Sequence, residues 1–236
     1  TLATRSGQAM KKAAAARALQ EVQSGMRLGL GTGSTVASFL ELLGAALAEG
    51  RIQGIVGVPT SRWTEGRCRE LGIPLTDLAE APELDLTVDG ADEVDPELEL
   101  VKGLGGALLR EKVVAQASRR FLVMVDSGKQ VQRLGTRSPL PVEVVPFGWT
   151  VHMSPFRALG AEPTLRRDEG GEPVVTDNGN YLVDLHFPSG ISDPPGVQEA
   201  LRRRAGVVET GLFLGMAHAV AVAGSHGVEL LTRREG

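Results

Sequence analysis

The sequence predicts an α/β protein in two parts: a Rossmann-like domain built on a mostly parallel sheet, and a second, smaller ferredoxin-like α+β domain. Three observations carry this. Between residues 26 and 126, short apolar runs alternate with stretches of helical spacing, as they do when helices cover both faces of a parallel sheet. The first such unit reads strand, glycine-rich turn (GLGTGSTV, 29–36) and helix, with Val36, Phe39, Leu40, Leu43 and Leu47 on one face. Beyond about Gly135 the order changes to strand, helix, strand, strand pair, helix, strand, close to a split βαβ with an added hairpin.

Taken in order, 6–23 is alanine-rich and helical, with Gly25 as its stop. Strands follow at 26–30 and 52–58, a helix at 61–71, strands at 73–76 and 84–88, a helix over 106–119 and a strand at 121–125. The second pattern comprises strands at 142–145 and 162–167, a helix between them at 150–159, a pair of strands about the 177–180 turn, a helix at 195–204 and a strand at 207–210. The apolar run 219–222 is expected to return to the first sheet. The expected domains are therefore 1–130 plus 208–236, Rossmann-like and catalytic, and 131–207, ferredoxin-like.

The chain has 236 residues, enough for two modest domains, with 42% hydrophobic and 23% charged residues. No apolar run approaches the ~18 residues of a membrane span, and Lys11, Lys12 and Arg17 interrupt the only stretch resembling a signal-peptide core. A cytoplasmic protein with no membrane partner is expected. The net charge of −4 argues against nucleic acid as a partner, since phosphate-backbone affinity needs a broad basic face. Cys68 cannot form an internal disulfide and, set among Arg67, Arg69 and Glu70, is expected on a helix. Five lysines stand against twenty arginines. Where lysine is kept, a compact charge with a movable pKa is the reason to keep it, and Lys11, Lys102 and Lys129 each adjoin a segment singled out on other grounds. Asparagine occurs only at 178 and 180, which fits a thermostable protein.

The glycine turn excludes two nucleotide motifs. Its glycines are 29, 31 and 33, with none at 34 or 36, and the next strand ends in Pro59, Thr60 and Ser61 with no acid to hold a ribose. Nor does it contain the Gly-Lys-Ser/Thr of a P-loop. What remains is Thr32, Ser34 and Thr35 at a helix N-terminus, suited to one phosphate or a sugar.

The densest chemistry lies in VDGADEVDPELELVKGLGGALLREK, 88–112. Asp89 and Asp92 follow the alternating Leu84, Leu86 and Val88, so they emerge at a strand end, where open α/β sheets place ligands. Lys102 precedes Gly103, Gly105 and Gly106, which let backbone N–H groups approach an oxygen. Glu111 sits on the helix that follows. Moving a proton between adjacent carbons of an α-hydroxy carbonyl needs a carboxylate base and a cation for the enediolate oxygens, and both are present. Two other readings stay open on residues alone: a cation held by Asp89, Asp92, Glu93 and Asp95, or a sugar-phosphate sensor without turnover. The EF-hand spacing is not met, and Glu93, Asp95, Glu97 and Glu99 are expected to form a solvated edge. His152, His186, His218 and His226 have no metal spacing and are expected to be structural.

GLGTGSTV, DGADEVD and KGLGGALLREK, in this order and at these separations, with VDSGK at 125–129 and ETGLF at 209–213, resemble the A-type ribose-5-phosphate isomerases over essentially the whole chain. The resemblance implies a metal-independent aldose-ketose isomerase without cofactor that interconverts ribose 5-phosphate and ribulose 5-phosphate in the pentose phosphate pathway. It implies Glu111 as base, Asp89 and Asp92 in ring opening and in holding sugar hydroxyls, and Lys102 at the enediolate oxygens. Substrate binding is implied for Lys11 (with Lys12 beside it), Thr32, Gly33, Ser34, Thr35, Asp89, Gly90, Ala91, Asp92, Lys102, Gly103, Leu104, Gly105 and Lys129, with phosphate near Ser34, Thr35 and Lys129. Leu104 stands where the family often has glycine. A homodimer or homotetramer is implied as well.

Overall fold

The computed structural model describes residues 2–233. In chain order its elements are α1 (Leu2–Leu19), β1 (Arg27–Leu30), α2 (Ser34–Ala48), β2 (Val56–Pro59), α3 (Arg62–Glu70), β3 (Leu86–Gly90), β4 (Glu93–Val94), β5 (Leu100–Val101), α4 (Leu108–Gln116), β6 (Phe121–Asp126), β7 (Leu140–Val144), α5 (Met153–Ala158), β8 (Glu162–Leu165), β9 (Tyr181–His186), α6 (Pro194–Arg202), β10 (Val207–Thr210), β11 (Leu212–Phe213), β12 (Ala219–Gly224) and β13 (Gly227–Thr232). They divide into two compact units. One holds the residues up to Ala91, Arg110–Gln130 and those from Met216 on; the other holds Asp92–Leu109 and Val131–Gly215.

In the first unit, among the described residues, a six-stranded sheet runs β13-β12-β6-β3-β1-β2. Every pairing is parallel except the β12–β13 hairpin. The alternating side chains of β3 explain its two faces: Leu86 and Val88 join a core with Ala14, Ala15 and Ala18 of α1 and Val36, Phe39, Leu40 and Leu43 of α2. Full burial of each large member contributes about 1.5–3 kcal/mol. Thr87 faces the other way, toward α4, and its Oγ lies 2.5 Å from Ser118 Oγ. Because the strands are parallel, β1, β3 and β6 present their carboxyl ends on one side, which places 31–35, Asp89 and Lys129 along one edge of this sheet. Cys68 is buried on α3 in the same core, and burial pushes its thiol up to about 11.

The second unit carries an antiparallel sheet in the order β10-β7-β9-β8, with α5 between β7 and β8 and α6 between β9 and β10. That is the ferredoxin-like order, fourth-first-third-second. Leu140, Val142, Val144, Val183 and Leu185 pack against Phe156 of α5 and Leu201 of α6. A small sheet β11-β5-β4 belongs to this unit, and Lys102 N–H donates to Gly211 C=O at 2.8 Å. These bonds group 92–109 and 208–215 with the second unit, although alternation alone assigned both to the first domain. No described helix is long and apolar enough to cross a membrane.

Several expectations are corrected. The strand at 73–76 shrinks to one bridge, Gly57 to Leu75, because Pro74 has no N–H to continue a ladder. Of the strand pair about 177–180 the second forms as β9, while the first reduces to bridges at Arg167–Pro173 and Val175–Tyr181. The helix after the glycines begins at Leu108, not Gly106, whose φ of +83° is outside the helical region. The acidic edge is only partly solvated. Glu93 is fully buried and accepts three backbone N–H bonds, from Gly135 (2.5 Å), Arg137 (2.6 Å) and Ser138 (2.6 Å). Asp95 closes its own turn by accepting from Glu97 and Glu99 N–H, Glu99 accepts from Gly215 N–H, and only Glu97 of the four is exposed. The two asparagines also have an assignment: the side chains of Asn178 and Asn180, with that of Thr176, donate to Oε1 of buried Glu143.

His152 is buried against Phe156, with Arg204 Nε donating to its Nδ1 at 3.2 Å. Burial, and then the Arg204 charge, holds the imidazole below its ordinary value. In the unfolded chain His152 takes up a proton near pH 6.5, while the folded protein resists it. Its contribution is therefore complete above about pH 6.5 and is lost as pH falls toward the depressed folded value. The expected result is that the urea midpoint drops less between pH 7.5 and 5.5 in His152→Gln than in wild type; equal slopes would remove His152 as a source of acid sensitivity.

Candidate active site

In the first unit the turn after β1 wraps an acid. A Cβ on Gly31 would land on the Asp89 carboxylate and come within 2.6 Å of Asp89 Cβ, so glycine is what lets this side chain occupy the turn. Asp89 is fully buried at the end of β3, and its Oδ1 accepts from Thr32 N–H (3.1 Å) and Gly90 N–H (2.7 Å). We expect Gly31→Ala to cost ~1–3 kcal/mol by overpacking, read as a lowered denaturation midpoint, and to displace Asp89; a variant of wild-type stability would show that the turn yields freely.

The Thr32 side chain points inward, toward hydroxyls that no sequence motif had singled out. Its Oγ1 donates to Ser61 Oγ (2.8 Å) and lies 2.8 Å from Thr60 Oγ1. Thr64 Oγ1 donates to Gly31 C=O (2.7 Å) and lies 2.9 Å from Ser61 Oγ. Each hydroxyl has one proton, which fixes the direction: Thr60 to Thr32, Thr32 to Ser61, Ser61 to Thr64, Thr64 to Gly31. The Thr32 hydroxyl proton is therefore committed to this chain, and its N–H to Asp89. Ser61 also caps α3 by accepting Thr64 N–H at 3.0 Å.

Gly33 follows with φ +116°, and α2 starts at Ser34. The exposed Ser34 and half-buried Thr35 thus lie in the first turn of a fifteen-residue helix, where unpaired N–H groups and the helix dipole favour an anion. Lys11 Nζ donates to Ser34 Oγ at 2.8 Å from α1, whereas Lys12 is exposed. Lys129 ends a 3-10 turn after β6, whose start Asp126 caps through Gly128 N–H at 2.9 Å. Glu111 is in the first turn of α4 and only 4% exposed; Lys112 is equally buried.

In the second unit, Asp92 Oδ2 accepts Leu104 N–H at 3.0 Å, so this acid holds the glycine-rich loop. Lys102 is buried, 3% exposed, with Nζ 5.4 Å from the centre of the Phe213 ring, a cation–π contact that explains the aromatic residue of ETGLF. Gly103 has φ +101° and lies against Leu108, while Leu104 and Gly105 are exposed at the loop tip. Periodicity also missed Arg166. Its guanidinium meets Asp184 with two bonds (2.8 and 2.5 Å) and donates to the carbonyls of Gly103 (3.3 Å) and Leu104 (2.9 Å). No local signal could have paired it with residues sixty positions earlier. Among the described residues no three His, Cys, Asp or Glu side chains are grouped to hold a metal ion.

The family described as ribose 5-phosphate isomerase A (phosphoriboisomerase A) matches residues 56–227. The chain is 55% identical over 218 residues to ribose-5-phosphate isomerase A of Roseiflexus castenholzii, covering 92% of this chain and 93% of the relative. It is 48% identical over 226 residues to the Deinococcus radiodurans protein of that name, covering 96% and 99%. A D-ribose-5-phosphate isomerase structure in complex with phospho-erythronic acid superposes with a TM-score of 0.92 at 42% identity, covering 95% of this chain and 98% of that one. The Plasmodium falciparum ribose 5-phosphate isomerase gives 0.93 at 37% identity, covering 97% and 100%. The fold and these likenesses define an enzyme of the isomerase class. More narrowly, the chain belongs to the ribose 5-phosphate isomerase A family.

Proposed function

We propose that this protein interconverts D-ribose 5-phosphate and D-ribulose 5-phosphate through an enediolate, with Glu111 as the base, in the pentose phosphate pathway. The observation that carries the reading is the burial of Glu111 in the first turn of α4, where an ordinary helix glutamate would be solvated. In this reading the sugar ring opens with help from Asp89 and Asp92, which also hold its hydroxyls. Glu111 removes the C2 proton of the open aldose and delivers a proton to C1. The hydroxyl proton moves from O2 to O1, so the ketose forms with no net gain or loss of atoms or electrons. Lys102 offsets the charge on the enediolate oxygens. Phosphate is assigned to Ser34, Thr35, Lys11 and Lys129, on the turn formed by Thr32 and Gly33. Gly90, Ala91, Gly103, Leu104 and Gly105 are assigned to the sugar. The phospho-erythronic acid held by a relative, a phosphorylated sugar acid, supports a ligand of this chemistry.

The test is ribulose 5-phosphate formation in excess EDTA. Turnover should survive chelation, as expected of chemistry that uses a carboxylate and an ammonium. Lys102→Ala should lose kcat by about 10²-fold or more; a variant that only weakens binding would move Lys102 away from the enediolate. An assembly of two or four copies in the cytoplasm belongs to the same proposal, and sedimentation tests the stoichiometry.

A further inference from the structure

We infer that Arg166 is a positioning residue for Asp92, acting through the peptide between Gly103 and Leu104. That peptide is held at both ends. Its carbonyl, on Gly103, accepts from Arg166 Nη1 at 3.3 Å, and its N–H, on Leu104, donates to Asp92 Oδ2 at 3.0 Å. The same Nη1 reaches the next carbonyl, on Leu104, at 2.9 Å. Cation, peptide dipole and carboxylate therefore follow one another head to tail: the guanidinium polarises the C=O, which strengthens the N–H as a donor to Asp92. Arg166 is itself oriented. Nε and Nη2 form a fork on the two carboxylate oxygens of Asp184 on β9, and the side chains are 15% and 21% exposed. The backbone is tied as well, since Arg166 N–H donates to Leu182 C=O and Arg166 C=O accepts from Val174 N–H.

Gly103 shows why the loop needs such an anchor. Its φ of +101° is a backbone state that Leu104 and Gly105, exposed at the tip, do nothing to hold by packing. Asp92 grips the loop from one side and the Arg166–Asp184 pair from the other. Lysine could not replace Arg166, because a single ammonium cannot span two carboxylate oxygens and two carbonyls in one plane. The inference rests on the isomerase reading, in which Asp92 handles the sugar hydroxyls.

The experiment is a double-mutant cycle on kcat/KM for ribose 5-phosphate, with wild type, Arg166→Met, Asp92→Ala and the double variant in one assay. Arg166→Met should lower kcat/KM by about 30-fold in the wild-type background and by less than about 3-fold in Asp92→Ala, because coupled residues lose their effect once the partner is gone. Arg166→Lys should not restore activity. Equal losses in both backgrounds, or a lower melting temperature with unchanged kcat/KM, would make Arg166 merely structural and overturn the inference, while wild-type turnover in the same plate keeps the isomerase reading intact. Should Arg166→Met fail to fold, Asp184→Asn loosens the fork while leaving the guanidinium in place. It should lower kcat/KM about 5-fold with the same dependence on Asp92, and the absence of that dependence would overturn the inference equally.

Discussion

Glu111→Gln is expected to lower kcat for ribose 5-phosphate by about 10²–10⁴-fold, the range supplied by a positioned proton-transfer group. The substitution preserves volume and the number of polar atoms in a side chain that is 4% exposed, so KM and melting temperature should change little. What it removes is the capacity to take a proton from carbon. A second readout separates lost chemistry from a disturbed site. In D₂O the wild type should place deuterium at the carbon that receives the proton, and the variant should do so only as fast as its residual turnover. A variant that isomerises at wild-type speed would refute the assignment of the base and leave the family membership untouched.

Glu93→Ala is the largest expected effect on stability. Removing the carboxylate leaves the N–H groups of Gly135, Arg137 and Ser138 without their acceptor. An unsatisfied buried donor costs about 1–3 kcal/mol, and bonds to a charged acceptor stand at the upper end. A total loss of roughly 3–6 kcal/mol follows, comparable to the whole stability of many domains. Glu93→Gln should recover only part of it, because the amide NH₂ must face one of the same donors. Urea denaturation followed by tryptophan fluorescence measures both, since Trp149 packs on the core of the same unit. If Glu93→Ala unfolds at the wild-type midpoint, water replaces the carboxylate at no cost and the argument from burial fails.

These two glutamates stand on opposite sides of what could be read in advance. The burial of Glu111 at a helix start was legible because its neighbours are local: a cation, three glycines and the start of α4 lie within ten residues of it. Glu93 was not. Within DGADEVDPELE it looks like one more acid on a solvated edge, and the three N–H groups that hold it come from a loop more than forty positions later. Lys11 was named for its rarity and setting, but only its 2.8 Å bond to Ser34 distinguishes it from Lys12. Thr32 stands out in the sequence for its hydroxyl, which turns inward to Ser61 while its N–H donates to Asp89.

The alternation of the main strands and helices, the glycine-rich turn before α2, and the residue types proposed to move a proton beside a phosphate are legible in the chain read alone. Local periodicity and the special freedom of glycine act over a few residues, within the span that a motif records. Which acid is solvated and which is buried, which lysine meets the cradle, and which arginine steadies the 103–104 peptide were decided by tertiary structure. Hydrogen bonds reach only about 3 Å in space but have no fixed reach along the chain, so contacts made across forty to sixty positions leave no periodic trace.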